Sequence, residues 1–300
     1  MHYKKGVQFA LITALLSGLA NFLNKEIIIS GVDPISLVFI KNFLVGAAFL
    51  AITFFSFKKI KKIQIKDSWK LLVLSLFGGS IAFILFFKGL ALTSAINASF
   101  IHKTMFVWAT LLAWPFLGEK ISKWQIMALS AMTAGVALAS SLNAVSLGGG
   151  ELMIMAATWL WSLEIIFVKK FAQNLDFKIL AAARMFGGSL LIAGFVFLHQ
   201  ETIKFSGISP ANWMKLLIVS LFLFSFVYFW YRALSLAPAN LVTSILVLAF
   251  PITIITASAW EMVLPPTKII LGIFLVLGAV ISLIALVRKQ DLWPKLLTHN

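Results

Sequence analysis

Two stretches decide the fold: KGLALTSAINAS at Lys88–Ser99 and RALSLAPANLVT at Arg232–Thr243. Each opens on a cation, runs through small and apolar residues to a short turn, and begins a new helical pattern after it. They lie 144 positions apart. Outward from them, at nearly the same offset, Asp33-Pro34 followed by Lys41 answers to Asp176-Phe177 followed by Arg184. Gly135-Val136 answers to Gly278-Ala279. Any two apolar sequences look alike, but charges and turns falling in register do not follow from composition alone. The chain therefore reads as two copies of one unit.

Apolar runs bounded by Gly, Pro, Asn or charge clusters fill both copies. In the first they span Gly6–Ile29, Pro34–Phe57, Trp69–Leu92, Ala95–Leu117 and Trp124–Leu142. A Gly-rich linker, NAVSLGGG, follows at Asn143–Gly150. The second copy holds Glu151–Phe171, Phe177–Leu198, Trp213–Leu236, Ala239–Trp260 and Thr267–Val287. Each run is long enough for a spanning helix of roughly 20 residues. The expected fold is an all-α membrane protein of about ten transmembrane helices, with repeats at 6–142 and 149–287. Five spans per repeat is an odd number, so the second copy enters the bilayer from the opposite face. Two inverted five-helix repeats are the ground plan of alternating-access carriers.

Composition agrees. Of 300 residues, 61% are hydrophobic and only 12% charged, against a usual charged share of about 25%. Such a chain cannot cover a soluble domain with polar surface. That excludes a cytosolic enzyme, a disordered chain and a nucleic-acid-binding domain, despite a formal charge of +15. The cations are instead distributed by side. With a cytoplasmic N-terminus, one face carries Lys4, Lys5, Lys58, Lys59, Lys61, Lys62, Lys66, Lys70, Lys120, Lys123, Lys169, Lys170, Lys178, Arg288, Lys289 and Lys295. The other carries little beyond Lys204 and Lys268. This is the positive-inside asymmetry, and it puts both termini in the cytoplasm of a cell-membrane protein. The short polar N-terminus followed by many spans reads as a retained first helix rather than a cleaved signal. The absence of cysteine excludes disulfides and thiolate metal sites.

Polar residues inside the runs mark where a cavity could lie, because an ionisable group in a span costs about 2.5–3.5 kcal/mol on insertion scales. Thr13, Ser17, Asn21 and Asn24 form one stripe on the first helix, with Lys25 beside it. The stripe is either a cavity wall or a polar seam between helices. His102 and Lys103 lie about two turns inside the fourth run, and Lys103 is too deep to snorkel easily. Lys41 and Arg184 are repeat equivalents that could bind an anion, act as gating partners, or bond backbone carbonyls. Glu164 is the most central carboxylate, with Trp161 one turn before it; it could pair with a cation or carry a proton. Tyr228, one turn before Arg232, could present its hydroxyl to the cavity. Trp108, Trp161 and Trp230 are further candidates for its lining. Pro251, inside the ninth run, is expected to leave the Val247 carbonyl without its helical donor and kink the helix, which suits a gate. Glu119 reads as helix-end structure.

The stretch GEKISKWQIMALSAMTAGVAL, Gly118–Leu138, resembles the drug/metabolite transporter superfamily, specifically chains with two EamA-type domains. The second half repeats the plan more loosely around ALSLAPANLVTSILVLAFP and LGIFLVLGAVISL. The resemblance covers nearly the whole chain and implies a transporter rather than an enzyme. No phosphate-binding GxxxxGK[ST] loop and no HExxH pattern occurs, so no cofactor is expected. The expected partners are a small-molecule substrate and the lipid bilayer, with no nucleic acid and with proton coupling as an option. The expected activity is secondary transport of a small anionic or zwitterionic metabolite, such as an amino acid or related organic acid. The alternatives are an exporter of amphipathic or aromatic drugs and metabolites and, further off, an integral-membrane enzyme acting on lipids.

Overall fold

The computed structural model describes residues 2–55, 65–119, 121–139, 148–172, 174–200, 202–205 and 208–289. Lys58, Lys59, Lys61, Lys62, Lys120 and Lys295, linker residues 143–147, the ends of the second and fifth apolar runs, and the side chains of Arg288 and Lys289 lie outside the description. Among the described residues every regular element is helical. In chain order the spans are α1 (Lys4–Ile29), α2 (Pro34–Phe55), α3 (Ser68–Leu92), α4 (Ala95–Leu117) and α5 (Lys123–Ala139). The second set is α6 (Gly149–Phe171), α7 (Phe177–Leu198), α8 (Pro210–Leu236), α9 (Ala239–Glu261) and α10 (Thr267–Leu286). The ten apolar runs read from the sequence coincide with these helices.

Their ends follow local chemistry. Ser94, Asp176 and Ser209 cap α4, α7 and α8 by accepting the amides of Asn97, Lys178 and Asn212. Pro210 opens α8, where its missing N–H costs nothing. Gly118, at φ 67°, closes α4 in the left-handed conformation. The helix α5 packs along α10: a methyl group at Gly272 would lie 2.6 Å from the Gly135 carbonyl oxygen.

Both fourth helices of the repeats break at equivalent points, α4 at Thr104 and α9 at Val247–Leu248. The break in α9 is not the one expected of Pro251. The Val247 carbonyl accepts the Phe250 amide at 2.9 Å, because a tight i→i+3 turn brings that donor into reach. In α4 the Thr104 carbonyl likewise accepts from Val107 at 2.9 Å, without any proline nearby in the turn. The break therefore belongs to the repeat rather than to Pro251.

Two other helices depart from α geometry without such symmetry. Wide π turns run over Leu74–Ile81 in α3 and Ala183–Gly187 in α7, and the two segments pack face to face. A Cβ at Gly79 would fall on the Arg184 carbonyl oxygen, and one at Gly188 on the Gly79 carbonyl. The equivalent helices α8 and α2 are regular. There Leu223 replaces Gly79 by position, and the stacked rings of Phe49 and Phe224, 4.6 Å apart, bridge the helices. The bundle is thus tight between α3 and α7, and its central cavity reaches α8, which contributes Val219, Leu223 and Phe226.

Candidate functional site

The cavity has a volume of about 80 Å³ and is lined by residues of α1, α2, α3, α4, α6, α7 and α8. Its lining obeys the repeat in position but not in chemistry. Ser17, Ala20 and Asn21 of α1 and Trp161, Glu164 and Ile165 of α6 all face it, each pair being 144 residues apart. One wall thus offers a hydroxyl and an amide, and the opposite wall an indole and a carboxylate.

The π turn in α3 builds the densest part of the site. An i→i+5 turn widens the helix and frees carbonyls for side chains. The Gly78 carbonyl accepts Trp161 Nε1 at 3.1 Å and Arg184 Nε at 3.3 Å. The Gly79 carbonyl accepts Asn42 Nδ2 at 3.0 Å. Arg184 Nη2 then lies 3.2 Å from Glu164 Oε2, with both side chains buried. Tyr231 donates its hydroxyl to Glu164 Oε1 at 3.0 Å. Both Glu164 oxygens are engaged, whereas Arg184 Nη1 has no protein acceptor.

The α1 stripe serves two lysines. Lys41 donates to Asn24 Oδ1 at 2.7 Å and lies 4.4 Å from the Phe87 ring centre. Lys103 donates to Ser17 Oγ at 3.0 Å. Asn21 Nδ2, between them, lies 3.5 Å from Ser99 Oγ. Among the described residues neither lysine has a carboxylate within ion-pair distance. The His102 ring stands 5.2 Å from Phe86 and 4.9 Å from Trp161, with Nδ1 unpartnered. No group of metal-ligating side chains occurs among the described residues.

The model of the EamA-like transporter family matches this chain twice, over residues 4–141 and 148–285. The chain belongs to the EamA-like transporter family. It is therefore an integral, multi-pass membrane protein built from two EamA repeats. A solved crystal structure, described only as that of a protein, has a TM-score of 0.75 to it at 16% sequence identity. That alignment covers 96% of this chain and 99% of the other, and it shows a shared fold. No curated protein matches.

In this EamA chain, Asn21, Asn24, Lys41, His102, Trp161, Glu164 and Arg184 all line one cavity. Lys103 is held at the same wall through Ser17. Other candidates fall elsewhere. Lys25 donates to the Leu90 and Thr93 carbonyls at 2.8 and 2.6 Å, tying α1 to the end of α3. Tyr228 packs edge-on against Phe177 at 5.3 Å rather than on the cavity. Trp108 packs tilted against Trp159 at 5.8 Å, while Trp230 does line the cavity. Pro251 is buried within α9 and is not among the lining residues. Tyr231, which sequence reasoning missed, is the tyrosine whose hydroxyl reaches the site, through Glu164 rather than on the cavity wall. The repeat held a signal for it: Tyr231 stands 144 positions after Phe87, the ring beneath Lys41. The pairs Lys41/Phe87 and Arg184/Tyr231 are therefore counterparts.

The repeat also exposes a one-sided clamp. Lys169, the counterpart of Lys25, donates to the Ala237 carbonyl at 2.8 Å and lies 3.5 Å from Glu119. Glu119 in turn accepts the Ala239 and Asn240 amides at 2.8 and 3.1 Å, capping α9 from the other repeat. In the second repeat the equivalent position holds Val263, 61% exposed, so no acid stands in the place of Glu119. Truncating Glu119 leaves two helix-start amides without their acceptor, at about 1–3 kcal/mol. Glu119→Ala is expected to lower the thermal unfolding midpoint in detergent by on the order of 5 °C, with Val263→Ala unchanged. Equal midpoints for the two variants would remove the clamp.

Proposed function

We propose that this chain is a secondary transporter that moves a small organic anion or zwitterion across the cell membrane by alternating access, with both termini in the cytoplasm. The observation that carries this reading is the uncompensated charge around the cavity. Lys41 and Lys103 are buried without a carboxylate partner among the described residues, and the cavity's carboxylate, Glu164, is already taken by Arg184 and Tyr231. Buried charge left unpaired is costly, and a carboxylate or phosphate on the substrate compensates it. The unpartnered donor Arg184 Nη1 points the same way. The odd number of spans per repeat supports alternating access. A volume of about 80 Å³ is well below the roughly 300–1,000 Å³ of small-molecule sites, so substrate binding requires the helices to part. The breaks in α4 and α9 are natural places for that motion. Glu164 is the group through which proton coupling would act.

The test is flux in proteoliposomes against a panel of carboxylates, phosphates and their uncharged analogues. Lys41→Met and Lys103→Met are each expected to reduce flux of charged solutes tenfold or more. If both leave every responding solute unaffected, the anion site is lost. A second reading rests on the aromatic walls formed by Phe83, Phe86, Trp161, Phe226 and Trp230, which suit an exporter of aromatic or amphipathic compounds. It is favoured if flux follows ring content and ignores charge.

A further inference from the structure

We propose that a recess outside the cavity wall, between α3, α4 and α6, binds an acyl chain of an anionic phospholipid whose headgroup is held by Lys170. The recess has a volume of about 290 Å³, and its lining is apolar apart from Glu164 and the Gly78 backbone at the inner end of the wall. Its rim faces outward: Phe77, Phe116, Leu163 and Phe171 are all at least 40% exposed. Along α6 it runs from Phe171 to Leu160, which at 1.5 Å per residue is about 16 Å. Half of a hydrocarbon core of about 30 Å is about 15 Å. The recess therefore has the length of one leaflet, and a chain entering at Phe171 ends near the bilayer midplane.

The end at Phe171 carries the features of a headgroup site. The Lys170 ammonium lies 5.4 Å from the Phe116 ring centre and 5.6 Å from that of Phe171, both on the recess wall. No carboxylate pairs with it among the described residues, whereas nearby Lys70 is paired with Asp67 at 2.7 Å. Trp69, 49% exposed, packs on Phe167 and Phe171 at 5.6 and 6.4 Å. An indole at that level is where a bilayer interface places one. A cation at the mouth of an apolar slot one leaflet long is complementary to a lipid anion and its chain. It is not complementary to a soluble anion, which leaves the slot empty. Glu164 lies on the recess wall one turn short of its inner end at Leu160, so the bound chain packs behind the Arg184–Glu164–Tyr231 cluster.

The test needs no knowledge of the transported solute and stands apart from the function proposed above. The full chain is placed in nanodiscs containing phosphatidylglycerol with a photoactivatable diazirine on its acyl chain, and labelled residues are mapped by mass spectrometry. Label is expected on Leu112, Leu163 and Phe167. Unlabelled phosphatidylglycerol should compete about fivefold better than phosphatidylcholine, the preference one cation near the surface confers. Soluble glycerol phosphate should not compete. Lys170→Gln should abolish the headgroup preference while keeping the label, and Leu163→Trp, which fills the recess, should remove the label. Three results in the wild-type protein overturn the proposal whatever the variants do: label spread evenly over the spans, equal competition by the two lipids, or competition by glycerol phosphate.

Discussion

Gly79→Ala is expected to destabilise the protein by about 3 kcal/mol or more, the upper range for forcing atoms into a packed interior. Helix propensity alone predicts the reverse, since alanine gains about 1 kcal/mol over glycine in a helix. The clash wins because the new Cβ falls on the Arg184 carbonyl oxygen, which is backbone and cannot rotate aside. The helices α3 and α7 must separate, and separation loosens the hold of the Gly78 and Gly79 carbonyls on Trp161, Arg184 and Asn42. The thermal midpoint in detergent should fall by on the order of 10 °C. Gly194→Ala, on the facing helix α7 but with nothing near the added methyl, should leave the midpoint level or raise it. If the two substitutions behave alike, the close approach of α3 and α7 does not hold the bundle together.

Arg184→Ala is expected to cost about 3–5 kcal/mol, because it strands Glu164 as a buried charge with only the Tyr231 hydroxyl beside it. The diagnostic is non-additivity. Adding Glu164→Gln should recover part of the loss, since the amide is neutral and its oxygen can still accept from Tyr231. The double variant should therefore melt above Arg184→Ala alone. A double variant that melts lower would mean that the pair is not what holds these side chains. In the flux assay Arg184→Ala should lose uptake at least tenfold, through loss of the Gly78 contact and of the cation facing the cavity.

Much of the site was legible before any coordinates. Ser17, Asn21 and Asn24 recur at helical spacing, and a stripe of that kind on an apolar helix has few places to go. Lys41, His102, Lys103, Glu164 and Arg184 were marked by the cost of placing them in a span. Lys25 was picked out for standing beside that stripe and lies elsewhere, because a lysine at a helix end can spend its donors on neighbouring carbonyls. Tyr231 escaped notice because a tyrosine carries no charge and makes no such demand. Tyr228 was chosen over it on spacing to Arg232, which says nothing about the face a residue presents to another helix.

By itself the sequence determined that there are about ten apolar helices, that a five-helix unit is doubled, and which charged groups would lie buried among them. These are one-dimensional quantities: the length of an apolar run, the offset of a repeat, the presence of a charge where a bilayer opposes one. Tertiary structure alone decided which of those groups meet. The Arg184–Glu164–Tyr231–Gly78 cluster depends on π turns in α3 and α7 that their repeat counterparts lack. A widened turn arises from how two glycine-lined helices press together, and no periodicity in either strand of sequence records that contact.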